Sequence, residues 1–310
     1  MGRKVELTAA DDFELGAYRA DPSGMPRGRV VVIQEIFGVN NHIRSVCDRL
    51  AGAGYVALAP QIFDRLEPDF ESGYSDAEVA EARAMIPRVD WDKLMLDVAA
   101  AIDEVKREGS VAIMGFCLGG SVSWMAATRF GGLAAAICYY GGQIIHHIDK
   151  KPRCPVQMHF GALDTHIPLS DVETMKQKHP QAEIFIYHHA GHGFHCDERG
   201  SYDQPSARIA WERSLGFLSR GFSSTAEEMM EETAGPAPAA QIAKQAGVER
   251  KAPEARTSTK KAGKAAKKKT AKKAAKKSVK KSAKKTTKKS AKKSASKTKK
   301  KAAKKKSKRR

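Results

Sequence analysis

Three residues of types that can share one reaction each stand just past a run of β-favouring residues. Cys117 follows residues 111–116, Asp164 follows 156–160, and His192 follows 183–187. A thiolate attacks an acyl carbon, an imidazole accepts or holds the thiol proton, and a carboxylate orients the imidazole and stabilises its charged form. Cys117 lies in GFCLGG, with Gly115 two residues before it and Gly119 two after. This pattern is a strand, a sharp turn and a helix. So tight a turn strains its central residue and leaves no room for a Cβ on either flank, hence the two glycines. The amide of Leu118, at the start of the following helix, is placed to stabilise an oxyanion with the help of the helix dipole.

Plainer readings exist for each residue. A free cysteine in a glycine-rich turn is often only buried, an aspartate after a strand is often a turn or cap residue, and a His-rich loop such as HHAGHGFH can bind metal. No carboxylate is spaced from these histidines as in HExxH, and His188, His189 and His195 read as loop or supporting residues. The order nucleophile, acid, base, with each residue at a strand end, favours a catalytic set.

Such a set needs a sheet that brings distant strand ends together. Strands alternate with helices along the chain, which predicts an α/β fold with a mostly parallel sheet and helices on both faces. The run VVVIQ (30–34) reads as a central strand, followed by Glu35, Ile36, Phe37 and Gly38. Asn40 or Asn41 caps the next helix, and 55–58 forms the next strand. No GxGxxG follows the first strand, which argues against a dinucleotide site. Residues 60–75 read as a loop over the active face, 76–85 and 90–107 as helices. In the second helix Trp91, Leu94, Val98, Ile102 and Val105 form one core-facing stripe. Strands at 133–140, 156–160 and 183–187 and helices at 169–179 and 205–219 complete the domain.

The segments QEIFGVN (34–40), GFCLGG (115–120), GALD (161–164) and GHGF (191–194) resemble the dienelactone hydrolase family, the carboxymethylenebutenolidases. The resemblance covers about residues 10–220. It implies an α/β-hydrolase fold, a Cys117–His192–Asp164 triad, and an oxyanion hole from the amides of Leu118 and Ile36. It also implies that Glu35 lies against the resting thiol and helps it ionise when substrate arrives; a nearby carboxylate opposes thiolate formation until its charge is paired. Neither the resemblance nor the residue chemistry calls for a cofactor or metal. Family members that take dienelactones hold the substrate carboxylate with arginines, one of them four residues past the histidine; Cys196 stands there in this chain. Arg199 and Arg83 are the candidate replacements. Judged on position 196 alone, carboxylate-bearing dienelactones are expected to be poorer substrates than neutral esters or lactones.

Charge divides the chain unevenly. Residues 1–222 carry 23 Lys+Arg against 29 Asp+Glu, while 223–310 carry 32 against 6, so the formal net charge of +20 belongs to the C-terminal part. Five widely spaced cysteines with no CxxC pair, no apolar leader and no long apolar run point to a reducing, cytoplasmic setting. The expected organisation is a catalytic domain over 1–222, a linker over 223–259 and a disordered Lys/Ala-rich tail over 260–310. The tail resembles those of linker histones and some bacterial nucleoid proteins. With 28 Lys+Arg in 51 residues and no aromatic residue, it fits non-specific nucleic-acid binding, which would hold the enzyme on the nucleoid. Another function class, a nucleic-acid-compacting protein with a non-catalytic hydrolase scaffold, has the complete triad against it. If about ten lysines engage phosphates, log K for duplex DNA falls against log salt with a slope near −9. In a filter-binding titration, removing the chain after Phe222 is expected to abolish DNA retention and to leave ester hydrolysis within about twofold. DNA binding by the shortened chain would separate that binding from the tail.

Overall fold

A computed structural model describes residues 2–223. The expected tail, and all but the first residue of the expected linker, lie outside the described residues. Eight strands form one sheet in the order β1-β2-β4-β3-β5-β6-β7-β8. They are β1 (Arg3–Thr8), β2 (Glu14–Ala20), β3 (Arg29–Ile33), β4 (Val56–Pro60), β5 (Val111–Phe116), β6 (Leu133–Tyr139), β7 (Val156–Gly161) and β8 (Glu183–Tyr187). From β4 through β8 every pairing is parallel; β1 and β2 add antiparallel strands at one edge. The helices are α1 (Asn41–Gly52), α2 (Asp76–Met85), α3 (Trp91–Lys106), α4 (Leu118–Arg129), α5 (Leu169–Lys178) and α6 (Gln204–Ser223).

Both faces of the sheet are covered, as the continuous apolar runs require. Strands β4, β5 and β6 are buried at every position, the pattern of a parallel sheet without a wet face. Successive residues of a strand point to opposite faces. At the end of β5, a Cβ on Gly115 would meet Gly119 and Ser123 of α4, whereas the next residue, Phe116, packs against His42 of α1. Helix α6 joins the α1 side through Arg49 of α1, which lies over the Trp211 ring at 4.6 Å.

Helix boundaries follow local chemistry. Asn40 caps α1 by accepting from the amide of Ile43, and Ser75 and Glu78 form a reciprocal capping box at α2. The antiparallel β1–β2 hairpin is not foreseen by the sequence reading. Its strands alternate only weakly, and its turn, closed by Ala9 N–H to Phe13 O at 2.8 Å, contains no Asn-Gly or Asp-Gly signal. Helix α6 also extends past the expected end at residue 219 and past the expected domain boundary at 222, to Ser223. Phe217 and Leu218 are buried, and the Phe222 ring stacks 5.6 Å from Tyr55 over the Cβ-free face of Gly28, which holds the last turn down.

Parallel register places the functional strand ends level. Ile33 of β3 pairs with Gly115 of β5, and Phe116 of β5 with Tyr139 of β6. The loop after β3 therefore runs beside the turn after β5, and the Gly119 amide donates to the Gln34 carbonyl at 3.1 Å. A Cβ on Gly119 would lie 2.3 Å from the Ile33 carbonyl oxygen and 2.6 Å from that of Gln34. Gly119→Ala is expected to destabilise the domain by about 1–3 kcal/mol, the range for forcing atoms into a filled core. Gly24→Ala, where a Cβ meets nothing within 4 Å, should stay within about 0.5 kcal/mol of wild type. Urea midpoints of the two variants check this; equal midpoints would show that the Gly119 contact relaxes freely.

Candidate active site

Cys117 joins β5 to α4 with φ 53° and ψ −112°, a backbone conformation that costs energy for any residue with a Cβ. Its neighbours force this geometry: Gly115 and Gly119 approach so closely that a Cβ on Gly115 would lie 2.0 Å from the Gly119 carbonyl oxygen. The thiol is thereby turned out of the sheet edge and half-buried. Leu118 is the first residue of α4, so its amide is among those with no acceptor inside the helix. Ile36 follows Glu35 in the adjoining loop.

Asp164 and His192 come from the loops after β7 and β8, and those loops are tied to each other. The amide of Leu163 donates to the Ala190 carbonyl at 2.9 Å, and a Cβ on Gly161 would lie 2.3 Å from that same oxygen. The result is a row of three side chains. Asp164 Oδ2 lies 2.8 Å from His192 Nδ1, and His192 Nε2 lies 3.1 Å from Cys117 Sγ. The other Asp164 oxygen accepts from the His166 amide at 2.8 Å. Asp164 is buried, and the rings of Tyr140 and His166 pack 5.2 and 5.3 Å from the His192 ring. The structure therefore brings together the three side chains that the sequence reading selects. His188 and His189 are exposed, whereas His195 is buried between Phe116, Tyr139 and Trp211.

Glu35 is buried and accepts from Arg199 Nη1 at 3.1 Å. Arg199 comes close because Gly193 has φ +76° and no Cβ; a Cβ there would lie 2.3 Å from the guanidinium. The Arg199 guanidinium also stacks 5.4 Å from the Phe37 ring and 5.9 Å from that of Tyr74. Cys196 donates to the Tyr74 hydroxyl at 3.2 Å, and the Asn40 amide donates to the same oxygen at 2.9 Å. Arg83 is exposed on α2. Tyr74, Tyr140 and His166 are site neighbours that motif spacing could not reveal, since their placement depends on how the loops fold over the strand ends.

A comparison with known families adds to this geometry: the dienelactone hydrolase family profile matches residues 15–222. The chain belongs to the dienelactone hydrolase family. It is 34% identical over 223 residues to a protein of Synechocystis sp. provisionally named carboxymethylenebutenolidase, covering 65% of this chain and 90% of that relative. It is 28% identical over 224 residues to the carboxymethylenebutenolidase of Pseudomonas putida, covering 69% of this chain and 94% of the relative. A solved structure from Klebsiella pneumoniae, provisionally named a dienelactone hydrolase, superposes with a TM-score of 0.61 at 30% identity over 71% of this chain and 99% of that one. As a dienelactone hydrolase family member the protein is a carboxymethylenebutenolidase-like carboxylic ester hydrolase. Among the described residues no helix is long and apolar enough to cross a membrane.

Electrostatics in this dienelactone hydrolase family site favour a charged imidazole. Burial works against protonation of His192, but the charge of Cys117 and hydrogen bonds to Asp164 and Cys117 outweigh it and raise the imidazole to about 10. Its value in an unfolded chain is near 6.5. The folded value is the higher one, so the resulting stabilisation is complete below about pH 6.5 and is lost as pH rises through about 10. In side-chain NMR spectra His192 is expected to remain an imidazolium through neutral pH and titrate near 10; in Cys117→Ala the midpoint should fall toward the ordinary histidine range. A wild-type midpoint near 6.5, or an unshifted one in Cys117→Ala, would contradict this coupling.

Proposed function

We propose that Cys117 is the nucleophile of an ester or lactone hydrolase, with His192 as its acid–base partner and Asp164 orienting His192. The unbroken row from Asp164 through His192 to Cys117 carries this reading. The Cys117 thiolate attacks the acyl carbon, and the tetrahedral oxyanion accepts from the amides of Leu118 and Ile36. The imidazolium of His192 donates its proton to the departing alkoxide or enolate oxygen, leaving a thioester on Cys117. Water then attacks the thioester as His192 takes its proton, the carboxylic acid is released, and the thiolate–imidazolium pair returns. Asp164 keeps Nδ1 of His192 protonated throughout.

Arg199 and Glu35 support a further selectivity. Position 196 lacks the expected cation, but Arg199 delivers a guanidinium to the same corner. A substrate carboxylate can pair with the Arg199 guanidinium, which in the resting site is held by Glu35. Carboxylate-bearing lactones are therefore accepted through Arg199, in place of the weak turnover expected from position 196 alone. The composition of residues 260–310 supports tethering of this enzyme to nucleic acid, as a module separate from the chemistry.

Turnover of p-nitrophenyl acetate and of a dienelactone by the purified full chain tests the assignment. Cys117→Ala should lower kcat/KM for both by at least about 10³-fold with an unchanged circular-dichroism spectrum. Arg199→Met should lower it for the carboxylate-bearing substrate alone, by roughly ten- to a hundredfold, the value of a charge-assisted bond. Wild-type turnover by Cys117→Ala would refute the nucleophile, and equal losses on both substrates in Arg199→Met would refute the carboxylate role.

A further inference from the structure

We propose that Glu35, His42 and Cys196 form a binding site for a single borderline-soft divalent transition-metal ion, zinc being the chief candidate. The three residues come from different segments: the loop after β3, the first turn of α1, and the loop after His192. Their donor atoms, a carboxylate oxygen, an imidazole nitrogen and a thiol sulfur, all lie within 4.8 Å of one another, and all three residues are buried. Two of them have donor atoms with no partner. Neither ring nitrogen of His42 has a hydrogen-bond partner, nor does Oε2 of Glu35, while Oε1 is held by Arg199. Unpaired buried polar atoms need a reason, and here both residues that carry them offer a donor atom to the same three-residue cluster. Glu35 can give Oε2 to an ion without releasing Arg199.

The donor set selects the class of ion. Sulfur and imidazole nitrogen discriminate against magnesium and calcium, whereas one nitrogen, one sulfur and one oxygen suit zinc with a water in the fourth place. Burial keeps His42 neutral, which is its ligating form. The Asp197 carboxylate stands 3.7 Å from His42 Nδ1, where an acidic partner commonly orients a ligating imidazole, leaving Nε2 for the ion. Burial pushes the Cys196 thiol up to about 12, so the ion must displace its proton, which passes to solvent. Cys196 then gives up its bond to the Tyr74 hydroxyl. One carboxylate and one thiolate neutralise a divalent ion, and the charge of Arg199 is unaffected. Tetrahedral zinc ligands lie roughly 3.5 Å apart, so closing the site draws the donor atoms inward by up to about 1 Å. This inference goes beyond ester hydrolysis and does not depend on the role given to Cys117.

The full chain, stripped with a chelator, would be titrated with Co²⁺ as a spectroscopic stand-in and then with Zn²⁺ against a chromophoric chelator. No histidine or cysteine occurs after residue 196, so the C-terminal segment contributes no such ligand. One equivalent of Co²⁺ should bind and give a sulfur-to-cobalt charge-transfer band. Cys196→Ala should remove the band and weaken Zn²⁺ binding at least about tenfold; Cys117→Ala should keep the band and hold affinity within about twofold. His42→Gln should weaken binding by a similar factor in a chain whose circular-dichroism spectrum is unchanged; should that variant not fold, Cys196→Ala decides alone. The absence of stoichiometric binding would overturn the proposal. So would a band that survives Cys196→Ala but is lost in Cys117→Ala, which would place the ion on the Cys117–His192 pair.

Discussion

The site depends on one backbone approach, that of Gly119 to the carbonyl groups of Ile33 and Gln34 at the junction of β3, β5 and α4. Because no Cβ intervenes, α4 starts directly against the end of β3, and the Gly119 amide of its first turn bonds to the Gln34 carbonyl beside Glu35 and Ile36. The same approach forces Cys117 into its left-handed conformation and presents the thiol at the sheet edge. In the function proposed above, fixing this geometry in the fold would remove the entropic cost of assembling the thiol and its neighbouring amides for each reaction cycle.

Charge is distributed in two neighbouring pairs with different burdens. Asp164 and His192 form a satisfied pair: one carboxylate oxygen is held by the imidazole and the other by the His166 amide. Glu35 and Arg199 form a pair that is satisfied on one side only, since Oε2 of Glu35 has no partner. A buried ion pair is weak evidence of stabilisation, because desolvation offsets much of the attraction. An incompletely bonded buried carboxylate is better understood as a group held ready for another partner, whether a proton or a cation.

Much of this was legible in the sequence, for identifiable reasons. The buried strands announced themselves as apolar runs, and Gly115 and Gly119 marked the turn because no other residue tolerates that approach. Strand ends of a parallel sheet lie on one edge, so Cys117, Asp164 and His192 could be grouped without knowing any distance. The hairpin of β1 and β2 was missed because its half-exposed strands have weak periodicity. Tyr74 was hidden for another reason, and Arg199 could be named only as one of two candidates: their positions follow from the course of irregular loops, which no spacing rule encodes. The family's offset falls on Cys196, whereas the guanidinium beside Glu35 comes from Arg199 through the space that Gly193 leaves open.

The mutual bonding of the loops after β7 and β8 has an evolutionary consequence. Asp164 and His192 are anchored to each other through Leu163, Gly161 and Ala190, and Cys117 is anchored to the sheet; the Tyr74, Cys196 and Arg199 corner shares none of these ties. On the function proposed above, variation there would redraw which molecules are admitted while the row from Asp164 to Cys117 keeps its alignment. On that reading the architecture would let a lineage change which molecules it admits without reinventing how it breaks the bond.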